Sequence, residues 1–289
     1  MTPPLTNIAI IGYGIVGQAV AHGFSTPAMQ EKYRTLFYDK FKTSDSLEDV
    51  VTASEFIFIC LPTPMKADES GIDLSIIEEM VGEVARYTDG TDKIVVIKST
   101  VTPGTTQRLQ ERHPNTAFCF SPEFLRESSY LQDALNPDRS VVGTTDEAVA
   151  ARVAAVLRTQ FPNVQMFHTD PTTAEMAKYM ANMYLAQKVM FANEMAAVCD
   201  ALGIQYADVK SIVVADHRIY DSHLDIHAPR GFGGKCFPKD LIALRGRARE
   251  LGVDTDLLSA VWESNKKIRT VRDWEDIPFA VTKSPEEHP

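Results

Sequence analysis

The sequence predicts an α/β protein: a doubly wound parallel sheet followed by an all-helical unit built around one long helix. Three observations carry this. Short apolar runs alternate with stretches of helical periodicity through residues 1–170. A glycine-rich turn joins the first such run to the first helical stretch. From residue 171 the strand-like runs stop, and about thirty residues of continuous helical pattern begin, spanning ~45 Å at the usual rise. The expected organisation is a sheet domain over 1–170, a helical domain over 171–270 and a tail over 271–289.

The 289 residues suffice for one large domain or two ordinary ones, and 44% hydrophobic with 24% charged residues is ordinary for a soluble globular chain. A net charge of −10 argues against nucleic acid as a partner, because phosphate backbones are bound by clustered Lys and Arg. It leaves room for a small anion held by a few local groups. Met1 to Thr6 lacks the basic and apolar regions of a secretory signal, and no apolar run approaches the roughly 20 residues of a membrane-spanning helix. Cys60, Cys119, Cys199 and Cys236 are widely spaced, with no metal-type pairing. No metal site is expected, and a reducing cytoplasm is the natural setting.

In chain order, Asn7 to Ile11 reads as a buried strand, and Gly12-Tyr13-Gly14-Ile15-Val16-Gly17 follows at once, before an apolar helical stretch. This is G-x-G-x-x-G between a strand and a helix, the fingerprint of a Rossmann-type dinucleotide site. Gly12 makes the tight turn, Gly14 admits the pyrophosphate, and Gly17 lets helix and strand touch. A second strand, Thr35 to Tyr38, ends in Asp39, about 20 residues past the last glycine, where a carboxylate binds the ribose of NAD. Lys40 beside it is a complication, since a cation there suits a 2′-phosphate. Further strands are expected at 55–60, 93–98, 116–120, 140–143 and 164–167, with helices at 73–87 and 147–159. Thr63 follows the third strand, and Ser99 and Thr100 follow the fourth. Their hydroxyls suit ribose, nicotinamide amide or water, and equally suit caps and turns. After the fifth strand, Ser121 fits an N-cap and Pro122 a first helical position, which would set Glu123 and Glu127 on one helix face. Such proximity raises one carboxyl pKa and makes a general base, or the pair simply complements a helix start.

The long helix is expected from near Thr172, with Glu175 completing a capping box, to Leu202, with Gly203 as its C-terminal stop. It is apolar on nearly every face, as suits a helix buried against a second domain or subunit. Lys178 and Asn182, four apart, can stabilise an oxyanion, or Lys178 can extend to solvent. Then comes Gly231-Phe232-Gly233-Gly234-Lys235-Cys236-Phe237-Pro238-Lys239-Asp240. A cysteine beside cations can be a nucleophile, and the glycines let a ligand approach, though a turn with a half-buried cysteine reads the same way. Helices follow at 240–251 and from 255 to about 268, and Ser284 to Pro289 reads as a frayed end.

Taken together, these stretches resemble the nucleotide-sugar 6-dehydrogenases that act on UDP-glucose and GDP-mannose. The resemblance rests on the opening glycine motif, Lys98-Ser99-Thr100, Ser121 to Glu127, Asn136 to Arg139, Ala174 to Asn193, Asp216 to Ile219 and Gly231 to Asp240, and so covers nearly the whole chain. It implies a two-step, NAD-dependent oxidation of a sugar C6 alcohol, UDP-glucose first among substrates, to a uronic acid. Cys236 would carry a thiohemiacetal and then a thioester. Lys178 and Asn182 would stabilise the oxyanion, Asp240 and Thr100 would handle water or a proton, and Glu123 would be the hydrolytic base. Gly12, Gly14, Ile15, Val16, Gly17, Asp39, Thr63, Thr100 and Glu127 would hold the cofactor. Glu123, Phe124, Leu125, Lys178, Asn182, Phe232, Gly233 and Gly234 would line the sugar and phosphates. Arg218 would reach a neighbouring subunit's substrate, with a somewhat longer spacing to Cys236 than the family's.

A homodimer through the long helix is expected, and the resemblance implies a further α/β domain gripping the nucleotide, near whose expected start this sequence stops. A two-electron hydroxyacid dehydrogenase, and an NAD-binding module with little turnover, are the alternative readings.

Overall fold

The computed structural model describes residues 4–282, so the end read as frayed, Ser284 to Pro289, lies outside the described residues. The chain divides into two compact units. The first takes the chain up to Thr63 and Leu74–Lys178, and the second takes Pro64–Asp73 and the chain from Tyr179 onward.

Unit 1 runs β1 (Thr6–Ile11), α1 (Ile15–Gly23), α2 (Pro27–Gln30), β2 (Tyr33–Tyr38), α3 (Leu47–Thr52), β3 (Phe56–Ile59), α4 (Ser75–Thr88), β4 (Ile94–Ile97), α5 (Thr105–Arg112), β5 (Ala117–Phe120), α6 (Tyr130–Leu135), β6 (Arg139–Gly143), α7 (Glu147–Gln160) and β7 (Gln165–Thr169). Phe-Ile-Phe-Ile in β3 and Ile-Val-Val-Ile in β4 are buried at every position, because both faces of the sheet are covered. Alternate residues feed two cores: Ile57, Ile59, Val95 and Ile97 join one, and Phe56, Phe58, Ile94 and Val96 the other. The sheet order is β2-β1-β3-β4-β5-β6-β7. Winding therefore reverses between β1 and β3, the place where such sheets open a ligand crevice.

The sheet departs from the all-parallel expectation at one point. β5 and β6 meet only at Phe120 and Gly143, antiparallel, whereas the other neighbours are parallel. A single pair does not enforce register, and the backbones come close there: a Cβ on Gly143 would stand 2.9 Å from the Phe120 oxygen.

Next comes α8 (Pro171–Leu202), 32 residues long. Asp170 caps it through the Thr173 N–H (2.9 Å), so Glu175 does not form the expected capping box. Instead Glu175, fully buried, accepts from Gly104 N–H (2.6 Å), Thr106 N–H (2.8 Å) and the Thr106 hydroxyl (2.7 Å), and thereby caps α5. Gly203 ends the helix at φ +70°, where the Ile204 N–H reaches the Cys199 carbonyl. The first turns of α8, with Ala174 in the sheet core, belong to unit 1. Unit 1 thus ends at Lys178, inside the helix. Nor is the helix buried on every face: Met180, Tyr184, Phe191, Val198 and Leu202 are exposed.

Unit 2 continues with α9 (Tyr206–Val213), α10 (Cys236–Glu250) and α11 (Asp256–Ile268). Its core joins Met183, Ala186 and Met190 to Leu241, Ile242 and Trp262, and it draws in two distant pieces. Met65, from the 64–73 excursion, is buried there, and Glu69 accepts from the Trp262 indole N–H (2.8 Å). Residues 271–282 are no free tail, because Trp274 is buried with its ring 5.4 Å from Trp262. The backbone at Ala280 and Thr282 bonds Met65 on both sides, at 2.8 Å each. Among the described residues no helix is long and apolar enough to cross a membrane.

Candidate active site

The dinucleotide end of unit 1 is built by the first glycines. Gly12 lies at φ +89°, and a Cβ there would stand 2.8 Å from the Cys60 carbonyl of the neighbouring strand end. At Gly17 a Cβ would stand 2.0 Å from the Gly12 oxygen, so only glycine lets α1 start so close to β1. Gly14 differs, since nothing lies within 4 Å of its Cβ position and no side chain caps α1 behind it. The first amides of α1 are thus left to an anion. Ile15 is exposed and Val16 half-buried beside them. Asp39 directly follows β2 and accepts from Tyr13 N–H (2.7 Å) and Phe41 N–H (2.9 Å), so its carboxylate is fixed beside the glycine turn. Lys40 is exposed, while Lys42 donates to the Tyr13 carbonyl (2.5 Å).

At the ends of β3 and β4 the hydroxyls tie the strands together. Thr63 donates to the Thr100 carbonyl (2.9 Å), which brings those two residues side by side. Ser99 accepts from Leu61 N–H (2.8 Å) and donates to the Leu61 carbonyl (2.8 Å).

After β5 the expected helix at Ser121 is missing: 121–126 is irregular, and Glu127 opens a short 3-10 turn, Glu127–Ser129. Glu123 and Glu127 therefore share no helix face. The irregular path has local causes. Glu123 accepts from Leu125 N–H (2.8 Å), and Arg126 grips Asp133 with its backbone N–H (2.8 Å) and guanidinium (2.6 and 3.0 Å). The path brings Glu123 to 3.2 Å from the Lys178 ammonium, with both side chains largely buried. Phe124 lies beneath Arg139 (3.6 Å to the ring centre) and 5.4 Å from Lys178. Lys178 is thus held in the interior and does not extend to solvent.

Beside this pair sits Lys98, to which the sequence reading gave no role. Its ammonium donates to the Pro122 carbonyl (3.3 Å). Burial holds its pKa below the usual lysine range, opposed by the nearby Cys60, Glu123 and Cys119. Burial likewise pushes the Cys60 and Cys119 thiols up to about 12, so neither is a ready nucleophile. The signal for Lys98 was a lysine directly after the four apolar residues Ile94–Ile97.

In unit 2, Cys236 is the first residue of α10 and is exposed, unlike the other three cysteines. The Lys235 side chain does not cap α10, and the N-terminal end of a helix favours negative charge. One turn on, Asp240 is buried and takes a hydrogen bond from Asn182 Nδ2 (2.6 Å) on one oxygen and an ion pair from Lys239 (2.5 Å) on the other. The loop before Cys236 is held by side chains absent from the expected set. Asn193 accepts from Gly231 N–H (3.3 Å), and Asn265 both accepts from Phe232 N–H (2.8 Å) and donates to its carbonyl (2.9 Å). Asp273 accepts from Gly234 N–H (3.0 Å). The Phe232 ring is core, 6.0 Å from Phe237 and 6.3 Å from Trp262. Arg218 is exposed and paired with Asp216 (2.5 Å). Among the described residues no cluster of three His, Cys, Asp or Glu could hold a metal.

A dinucleotide-type sheet joined to a helical unit with a cysteine-headed helix defines a class of two-unit dehydrogenases. Residues 25–161 match the NAD binding domain, and residues 172–267 the central domain, of the UDP-glucose/GDP-mannose dehydrogenase family. The chain belongs to that family. The UDP-glucose 6-dehydrogenase of Rickettsia conorii is 35% identical over 236 residues, covering 79% of this chain and 53% of that protein. The chain thus spans about half the length of the curated relatives it matches. The structure of a UDP-glucose dehydrogenase from Pyrobaculum islandicum superposes with a TM-score of 0.81 at 29% identity, over 92% of this chain and 70% of that one. The 3-hydroxyisobutyrate dehydrogenase of Mycobacterium tuberculosis shares the fold, with a TM-score of 0.71 at 15% identity over 96% of this chain and 97% of that one.

Proposed function

We propose that the protein oxidises the C6 alcohol of a nucleotide sugar, UDP-glucose first among candidates, to the acid in two NAD-dependent steps. The observation that carries this is Cys236, exposed as the first residue of α10, with the buried Asp240 one turn behind it. The bare amides of α1, the open space at Gly14 and the fixed Asp39 carboxylate suit a dinucleotide's pyrophosphate and ribose. When bound, NAD takes up the hydride of each oxidation. Between the two, the Cys236 thiolate adds to the aldehyde carbon, and the carbonyl oxygen takes a proton to give a thiohemiacetal. The second oxidation leaves a thioester at Sγ. Water, activated by Glu123 or Asp240, then attacks its carbonyl and expels the Cys236 thiolate. Lys178 and Asn182 oppose the negative charge that develops on the oxygen.

Thr63, Thr100 and Glu127 are assigned to the cofactor side. Phe124, Leu125, Gly233, Gly234 and the backbone at Phe232 are assigned to the sugar and phosphates. The exposed stripe of α8 supports a homodimer, in which Arg218 serves the neighbouring site. A reducing compartment, the cytoplasm, fits an exposed catalytic thiol.

The test counts NADH and weighs the product. Two NADH per acid are expected from the wild type, and Cys236→Ala is expected to form no acid. One NADH per turnover, unaffected by Cys236→Ala, would establish the alternative, a two-electron hydroxyacid dehydrogenase. The shared fold with the 3-hydroxyisobutyrate enzyme supports that second reading. NAD binding with no oxidation of any UDP- or GDP-sugar would leave a binding module.

A further inference from the structure

The loop before Cys236 is gripped by one ion pair that the proposed chemistry leaves unused. Arg269 Nη2 meets Asp273 Oδ1 at 3.1 Å, with Nε of the same guanidinium at 3.3 Å. The other arm of Arg269 donates to the carbonyls of Pro229 (3.1 Å) and Arg230 (3.5 Å). The second oxygen of Asp273 accepts from Gly234 N–H at 3.0 Å. The pair therefore holds the loop on both sides, at the carbonyls just before Gly231 and at the amide two residues before Cys236.

Its closeness also explains a glycine. A Cβ on Gly233 would stand 2.3 Å from both Arg269 Nη2 and Asp273 Oδ1, so the pair in this position leaves room only for glycine. Arg269 is itself buried, and Asp273 is anchored by the burial of the adjacent Trp274. Lys235, next to Cys236, donates to the Pro278 carbonyl (3.3 Å) of the same stretch.

We propose that Arg269 and Asp273 are positioning residues for Cys236, and that the stretch from 269 to 282 is a strap fixing the loop from which α10 and its thiol start. The idea rests on Cys236 being the nucleophile. One sulfur must serve aldehyde capture, a second oxidation and hydrolysis in turn, and a misplacement near 1 Å costs such a group about 100-fold in rate. The ion pair removes the freedom that the glycines of the loop would otherwise give it.

The experiment follows carbamidomethylation of Cys236 by iodoacetamide, read on the Cys236 peptide by mass spectrometry, together with kcat, NAD affinity and thermal melting. Asp273→Ala and Arg269→Ala are expected to change the alkylation rate at least fivefold and to lower kcat about 100-fold, with NAD affinity within twofold of wild type. Arg269→Lys should fall between them and wild type. Arg272→Ala, which removes the exposed pair to Glu275, should change neither rate. If an alanine variant does not fold, Asp273→Asn serves, because it keeps an acceptor for Gly234 N–H and loses the charge. A folded Asp273 variant whose alkylation rate and kcat stay within twofold of wild type overturns the proposal. Alkylation needs no turnover, so a wild type inactive on every sugar would sink the functional reading and leave the positioning test standing.

Discussion

The protein carries two glycine loops, each opening onto a helix whose own N-cap side chain makes no capping bond, and they are held in opposite ways. Gly12 to Gly17 is shaped by backbone against backbone: Gly17 closes on the Gly12 oxygen, and Gly12 on the Cys60 carbonyl. Gly231 to Gly234 is held by the side chains of Asn193, Asn265 and Asp273, with Arg269 on the carbonyl of Pro229 just before it. A loop made by backbone contact is rigid wherever its glycines are kept, as suits a cofactor used identically in every cycle. A loop held by side chains depends on groups brought in from elsewhere in the fold.

The contrast can be broken at its strongest point. Gly17→Ala should cost about 3 kcal/mol or more, because the new Cβ meets backbone rather than a movable side chain. Urea unfolding reads this, and a change under 1 kcal/mol would mean that the first loop is softer than its contacts imply. On the other side, Asn265→Ala strands both the N–H and the carbonyl of Phe232 in a buried site, for about 3 kcal/mol. Unchanged stability there would remove Asn265 from the side-chain support.

Glu175 sharpens the comparison, because it shows unit 1 closing a helix start, that of α5, with one of its own carboxylates. Burial pushes this carboxyl up to about 7 against the hydrogen bonds from Thr106 and Gly104, which favour the anion. The folded pKa lies above the unfolded one, so this group's stabilisation is complete below pH 4.5 and is lost as pH rises through 7. Stability from this source should fall by about 3 kcal/mol across that window, and Glu175→Gln should flatten the slope. Equal slopes in denaturation series at several pH values would contradict the shift. The smallest effect is expected at Gly14. Gly14→Ala meets no atom, so melting should not move, while NAD affinity drops about tenfold, near 1.4 kcal/mol, as the methyl blocks the pyrophosphate. Unaltered affinity would separate Gly14 from the phosphate site.

The same contrast explains what could be read from the sequence. The strands and the turn of the first glycine loop were legible because each is a local pattern complete within a few residues. The supports of the second loop were not, since Asn265 lies 33 residues beyond Phe232 and Asp273 lies 39 beyond Gly234. Two readings failed because a local rule met a stronger distant partner. Ser121-Pro122-Glu123 has the form of a helix start, yet the Lys178 ammonium takes Glu123. Glu175 has capping-box spacing, yet the open end of α5 supplies better donors. Charge at Lys98 was visible, but its burial could come only from the three-dimensional arrangement.

The bridge that joins Met65 to both Ile72 and Val281 has a consequence for how the chain can be made and divided. The helical unit is not a contiguous piece of sequence. It borrows Met65, Glu69 and Ile72 from a stretch that leaves the ribosome long before α8 does. A fragment beginning at residue 171 would therefore lack part of its own core, and should recover its structure only when a peptide covering 64–73 is supplied. During synthesis that early stretch must wait for α10, α11 and the strap that follows them.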